Sequence, residues 1–210
     1  MPVIVVANPK GGVGKSTLAT NVAGWYARQG QAVMLGDVDR QQSARHWLAL
    51  RPPQLPPIRG WDLAGSDVVR PPKGTTHVVL DTPAGLHGKR LDAVLKIADR
   101  LLVPLQPSPF DIAATHDFLR AVQAHKRAGQ LRLGLVAMRV KEHTHATEHL
   151  HEFLAALRAR VDVPLITHLR DTQNYVHLAA RGLTLFDVAT GRVERDLAQW
   201  QPLIDWLQAP

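Results

Sequence analysis

The chain has 210 residues, 45% hydrophobic and 20% charged, with 25 Lys and Arg against 18 Asp and Glu and a net charge of +7. That length suits one large domain, 1–210, which buries enough surface to fold without staples. The absence of cysteine excludes disulfides, thiolate zinc sites, iron–sulfur clusters and a cysteine nucleophile.

In chain order, the first apolar run is Val3 to Ala7. It is too short for a signal h-region and lacks a basic n-region. No stretch approaches the ~18 apolar residues of a membrane span, so a cytoplasmic location is expected. A helix is predicted over Ser16–Gln29, with Gly30 where a C-cap belongs. The second run, Ala32 to Leu35, leads to Asp37 and a helix over Gln41–Leu50. Segment 51–74 holds Pro52, Pro53, Pro56, Pro57, Pro71 and Pro72 and reads as irregular. The third run, His77 to Leu80, ends in Asp81. A helix over Leu91–Ala98, a run over Leu101–Leu105 and a helix over Ile112–Ala128, capped by Gly129, follow. Runs at Leu133–Ala137 and Pro164–Thr167 and helices over Thr147–Arg160 and Asp196–Leu207 complete the pattern. The runs are rich in Val, Leu and Ile without polar alternation, as in strands buried on both faces. Their alternation with helices predicts an α/β fold: a single doubly wound, mostly parallel sheet with helices on both faces.

The chemistry concentrates in Lys10-Gly11-Gly12-Val13-Gly14-Lys15-Ser16-Thr17, between the first run and the first helix. The phosphate-loop pattern is G-x-x-x-x-G-K-[ST]. Pro9 stands where its first glycine would fall, whereas Gly14, Lys15 and Ser16 match. Glycines let backbone N–H groups turn toward phosphate oxygens, and the helix N-terminus adds positive charge. Lys15 can reach the β- and γ-phosphates, and the Ser16 hydroxyl can ligate Mg²⁺.

This string resembles the deviant Walker A box of the ParA/MinD ATPases. Asp37-Val38-Asp39-Arg40-Gln41-Gln42-Ser43 resembles the family's D-x-D-P-Q segment, with Arg40 in place of proline. Val78-Val79-Leu80-Asp81-Thr82-Pro83 resembles its Walker B strand. The resemblance implies a P-loop fold that binds ATP and Mg²⁺ through Gly11, Gly12, Val13, Gly14, Lys15, Ser16 and Thr17. It implies that Lys10 crosses an ATP-bound homodimer to the partner's nucleotide. It places Asp39 on the attacking water, with Ser16, Asp37 and Asp81 around the metal. Val103 to Asp111 and Tyr175 to Asp187 resemble the short, ParF-type partition ATPases, and Arg139 is a candidate to contact adenine.

Other features choose among branches. Iron–sulfur relatives use cysteines, which are absent. The last helix has an apolar face, Leu197, Trp200, Leu203, Ile204 and Leu207, but no Lys or Arg from Asp196 onward. That polarity suits core packing and not an anionic membrane. The loop begins at Lys10, which leaves no room for an N-terminal helix-turn-helix domain, so DNA binding is expected to be nonspecific and nucleoid-associated. Two basic sets could supply it: Arg120, Lys126, Arg127, Arg132, Arg139 and Lys141, or Arg158, Arg160, Arg170, Arg181, Arg192 and Arg195. Residues 1–105 carry 13 basic against 7 acidic side chains and 106–210 carry 12 against 11, so the excess is not concentrated late in the chain. Four histidines lie between His143 and His151. His145 and His149 could share a helix face toward a metal, and polar surface histidines give the same pattern.

The leading expectation is an ATP-dependent switch that segregates plasmid or chromosomal DNA, with hydrolysis stimulated by a ParB-like or other adaptor protein. The alternative is the same switch positioning a protein cargo such as a microcompartment, a chemoreceptor array or cellulose-synthesis machinery. A metabolic ATP-dependent enzyme on the same scaffold is the third.

Overall fold

A computed structural model of the chain describes residues 1–39, 41–61, 71–141 and 163–209. The strands among them are β1 (Val3–Val6), β2 (Val33–Asp37), β3 (Ile58–Trp61), β4 (His77–Asp81), β5 (Arg100–Leu105), β6 (Arg132–Val140) and β7 (Leu165–Arg170). The helices are α1 (Lys15–Arg28), α2 (Ser43–Leu50), α3 (Gly88–Ile97), α4 (Pro109–Gln123), α5 (Asn174–Ala179) and α6 (Thr190–Gln208). The strands form one sheet in the order β3-β2-β4-β1-β5-β6-β7, and every pairing is parallel. The expected doubly wound α/β architecture is therefore present.

The strand sequences explain the layers. Side chains alternate across a strand, and both faces of β1 are apolar and buried. Val3 and Val5 join a core with Leu91, Val94 and Leu95 of α3 and Phe118, Leu119 and Val122 of α4. Ile4 and Val6 join the opposite core with Leu18 and Val22 of α1, Trp47 of α2 and Trp200 and Leu203 of α6. A fully buried Leu or Ile contributes about 1.5–3 kcal/mol, so two apolar layers hold the sheet between helices. The apolar face of α6 is part of this core: Trp200, Leu203 and Leu207 are buried, with Leu197 and Ile204 packed against them.

Two expectations are corrected. Segment 51–74 is not wholly irregular, because β3 pairs with β2 from Ile58 to Trp61. Only Trp61 of the four is buried, and prolines flank a strand this short at the sheet edge, so no apolar run announces it. Gly129 is not the cap of the fourth helix. That helix stops at Gln123, and Gly129 lies inside a 3₁₀ turn over Ala128–Gln130. Gly30 does follow α1 in the left-handed conformation, at φ +75°. The last helix starts at Thr190, earlier than expected, with a break at Val193 (φ −131°). The expected helix over Thr147–Arg160, the histidines from His143 to His151, and Arg40, Arg158 and Arg160 lie outside the described residues. Among the described residues, no helix is long and apolar enough to cross a membrane.

The topology positions the site. The chain winds from β1 to one side through β2, β3 and β4, then crosses to β5, β6 and β7. Ligands bind at such a switch point, outside the carboxyl ends of the strands. Asp81 of β4 is in register with Val6 of β1 on one side and Asp37 of β2 on the other. Both aspartates therefore end strands beside the loop that follows β1.

Candidate nucleotide site

The loop between β1 and α1 is held from below by Asn8, which is fully buried. Its Nδ2 donates to the Pro104 carbonyl and to Thr115 Oγ1, both at 2.9 Å, and its Oδ1 accepts from the Lys10 N–H at 2.9 Å. Gly12 and Gly14 adopt φ +76° and +94°, a region that a Cβ disfavours. A Cβ on Gly14 would also stand 2.8 Å from Met138 Cε. Gln106, at the end of β5, donates to the Gly12 carbonyl at 2.8 Å. These contacts fix an anion-sized nest at the positive end of α1.

Lys15 is buried, and its Nζ donates to the Lys10 carbonyl at 2.6 Å, across the mouth of the loop. Burial pulls its pKa below the usual lysine value, against the opposing pull of Asp81 and Asp39. Asp81 is 1% exposed. Burial raises its pKa to about 7, a hydrogen bond from Ser16 lowers it, Asp37 and Asp39 raise it and Lys15 lowers it. Its Oδ1 is buried without a partner in the protein. An orphaned carboxylate oxygen beside a serine hydroxyl fits a hard divalent cation such as Mg²⁺, which takes few protein ligands and keeps several waters.

Asp37 has a different immediate task. Its Oδ1 accepts from the Asp39 N–H at 2.9 Å, and its Oδ2 accepts from Ala44 and Arg45 N–H at 2.8 and 3.2 Å. It thus caps α2 from six residues upstream of Ser43 and shapes the turn that carries Asp39. Asp39 Oδ1 accepts from Gln41 N–H at 3.0 Å. Lys10 points away from this cluster: its half-exposed Nζ lies 4.0 Å from Asp111 Oδ1, in the first turn of α4.

A cavity of about 530 Å³ opens beside Gly14 and Thr17. Met138 and Arg139 form one wall, and Arg170 to Gln173 with Tyr175 and Val176 form the other. Arg139 sits at φ +52°, where β6 takes three steps from Ala137 to Val140 while β7 takes two from His168 to Arg170. Such a bulge re-aims a side chain beside a site. Arg139 therefore adjoins the loop, whereas Arg127 and Arg132 of the same basic set serve packing. Arg127 donates to the Leu95 and Lys96 carbonyls, and Arg132 donates to the Ala209 carbonyl and stacks on Trp206. That set does not form one face. Asn8 and the wall residue Thr172 carry no sequence reading, and Gln106 and Tyr175 enter only inside the two segments that resemble ParF-type ATPases. The position of Asn8 immediately before the loop is the available signal for it, and on the wall only Arg139 and the start of the Tyr175–Asp187 resemblance carry one.

Asp81 makes stability pH-dependent. Its folded pKa lies above the ordinary value of 3.8, at about 7, so the unfolded chain releases this proton first. The group's contribution is present below about pH 4 and is lost as pH rises through about 7. The ligand-free protein is expected to lose thermal stability across that window. Asp81→Asn should flatten the loss and be more stable than the parent above pH 7. A parallel pH profile for parent and variant in thermal melts would refute this assignment.

Comparison with known proteins fits this geometry. The CobQ/CobB/MinD/ParA nucleotide binding domain family matches residues 4–185. Maintenance of carboxysome distribution protein A from Gloeobacter kilaueensis is 39% identical over 117 residues, 53% of this chain and 52% of that protein. The protein of the same name from Halothiobacillus neapolitanus is 26% identical over 92% of this chain and 91% of its own length. Chromosome-partitioning ATPase Soj from Thermus thermophilus is 28% identical, over 74% and 75%. Among solved structures, a putative plasmid partition protein from Borrelia burgdorferi bound to AMPPNP has a TM-score of 0.74 at 17% identity, covering 98% of this chain and 99% of that one. An ATP complex of a Cyanothece McdA variant scores 0.72 at 16%, over 97% and 96%. The septum site-determining protein MinD of Pyrococcus horikoshii with Mg-ADP scores 0.70 at 14%, over 99% and 96%. With a phosphate loop, two strand-end aspartates and a family match over most of its length, the chain belongs to the CobQ/CobB/MinD/ParA nucleotide-binding family, as an ATPase of the ParA/MinD type.

Proposed function

We propose that this ATPase is a dimerising switch that positions a large protein cargo along nonspecific DNA. The observation that carries the cargo reading is the similarity to two carboxysome-distribution proteins, one of them over 92% of this chain. A second reading, segregation of plasmid or chromosomal DNA, is supported by the similarity to Soj and to a protein ParA of Rhizobium radiobacter, 28% identical over 61% of this chain.

In either case the residues divide the work in the same way. The loop N–H groups from Gly11 to Ser16 and the Lys15 ammonium hold the phosphate chain. Thr17 borders the cavity in which the base rests, with Arg139 on its wall. Ser16 and Asp81 hold the cation, and Asp37 supports it from the adjoining strand end. When bound, Mg²⁺ neutralises charge on the phosphate oxygens. Asp39, aimed by the loop that Asp37 pins, orients the attacking water. Lys10, on a half-exposed edge, reaches the second subunit's nucleotide. A ParB-like or other adaptor completes the stimulated state, and the apolar face of α6 is packed on the core and does not offer a membrane-binding surface.

Sizing the protein with ADP and with a nonhydrolysable ATP analogue tests this function. Dimer is expected only with the ATP analogue, and DNA should be retained by that dimer and released at high salt. Equal DNA affinity with and without ATP would sink the switch. If it holds, a neighbouring gene for a small basic DNA-binding protein with adjacent repeats would favour the partition reading over protein cargo.

A further inference from the structure

A buried carboxylate outside the phosphate site joins α6 to the wall of the cavity. Asp196 is fully buried. One of its oxygens accepts from Arg170 Nε, and the other accepts from Asn174 Nδ2 at 2.6 Å. A carboxylate removed from water needs both oxygens satisfied, and here one donor ends β7 and the other opens α5. Two more bonds run between the same elements. Gln199 Oε1 accepts from the Arg170 N–H at 2.9 Å, and Trp200 Nε1 donates to the Tyr175 hydroxyl at 2.9 Å. Arg170 and Tyr175 line the cavity beside the phosphate loop. That wall, the end of β7 and the first residues of the six-residue α5, is therefore tied to α6 by these bonds.

We propose that Asp196 is a positioning residue for nucleotide binding: by clamping Arg170 and Asn174 it holds the base-facing wall at the spacing a purine needs. This rests on the reading that the base occupies the cavity beside Gly14 and Thr17. It makes selectivity for ATP a property of a residue that touches no nucleotide. Groups supporting a site from behind set affinity through geometry, and a displacement of one ångström there is felt.

The test compares ATP with inorganic tripolyphosphate, which needs the loop but not the wall, by calorimetric titration in the presence of Mg²⁺. Asp196→Asn is expected to weaken ATP by about tenfold and to leave tripolyphosphate unchanged. Asn174→Ala, at a half-buried position, leaves the Arg170–Asp196 pair intact and should weaken ATP by about threefold. The preference of ATP over CTP should shrink in both variants. If the parent binds ATP no more tightly than tripolyphosphate, the base does not use the cavity and both readings fall. If the parent discriminates and both variants discriminate as well, the clamp alone is wrong. Equal weakening of ATP and tripolyphosphate would mark a general loss of structure and overturn the positioning role.

Discussion

Alanine at Lys15 is expected to lower the ATPase rate by about 10³-fold, a loss of the size seen when one donor is removed from a developing charge in a water-poor site. The parent lysine is buried and donates across the loop to the Lys10 carbonyl. Its charge is favoured by Asp81 and Asp39 and opposed by burial, so in the ligand-free protein it is held at a cost that an incoming phosphate relieves. The glycine nest survives its removal, because Asn8 and Gln106 hold the backbone independently. Nucleotide binding should therefore weaken less than turnover. Lys10→Ala provides the contrast: Lys10 is half exposed, 4.0 Å from Asp111, and outside the cradle of its own subunit. It should keep nucleotide binding and lose the stimulated rate. Steady-state phosphate release with stimulating partner and DNA reads both. A Lys15→Ala protein retaining more than about a tenth of the parent rate would remove Lys15 from the proposed chemistry.

The legibility of this site in the sequence followed from how local each part is. The phosphate loop is one contiguous string whose glycines take left-handed φ at Gly12 and Gly14, and a backbone requirement of that kind shows in the residue type itself. Asp37 and Asp81 could be found because each ends an apolar run, and parallel register then places them side by side. The cavity wall had no such signature. Its parts come from β6, from the end of β7 and from the residues after it, brought together by a bulge at Arg139 and by hydrogen bonds to α6. None of these leaves a period or spacing in the chain. β3 was hidden for the opposite reason: an edge strand buries little, so Ile58, Arg59, Gly60 and Trp61 need no apolar pattern. The basic residues show the limit of charge counting. Arg127 and Arg132 look like a polyanion-binding set in sequence, yet their half-buried guanidinium groups are committed to carbonyls and, for Arg132, an indole.

Alanine at Asp187 is expected to cost about 3–5 kcal/mol of stability, the penalty for leaving one member of a buried ion pair unmatched. The side chains of Arg51 and Asp187 are 5% and 0% exposed. Arg51 spans the carboxylate with two bonds, at 2.9 and 3.2 Å, and Asp187 Oδ2 also accepts from the Thr184 N–H and hydroxyl at 2.9 and 2.7 Å. The guanidinium lies 5.4 Å from the Trp47 ring centroid, so α2 and the turn over Leu185–Asp187 share one desolvated unit. The surrounding backbone leaves no slack to repair it. A Cβ on Gly182 would stand 2.4 Å from the Arg51 nitrogen, and one on Gly24 of α1 would stand 2.5 Å from Thr184. Leu185 N–H also donates to Asn21 of α1 at 3.0 Å. The turn thus anchors both helices that flank the Asp37–Asp39 segment. At ~2–4 °C per kcal/mol for a chain of this size, the melting point should fall by about 10 °C. Arg51→Met combined with Asp187→Leu should recover much of the loss, since an apolar pair leaves no stranded charge. Because the damage is remote from the phosphate loop, Asp187→Ala protein below its melting point should still bind nucleotide. A drop smaller than about 1 kcal/mol in denaturant unfolding would show that the pair is bypassed and that apolar packing alone holds α2.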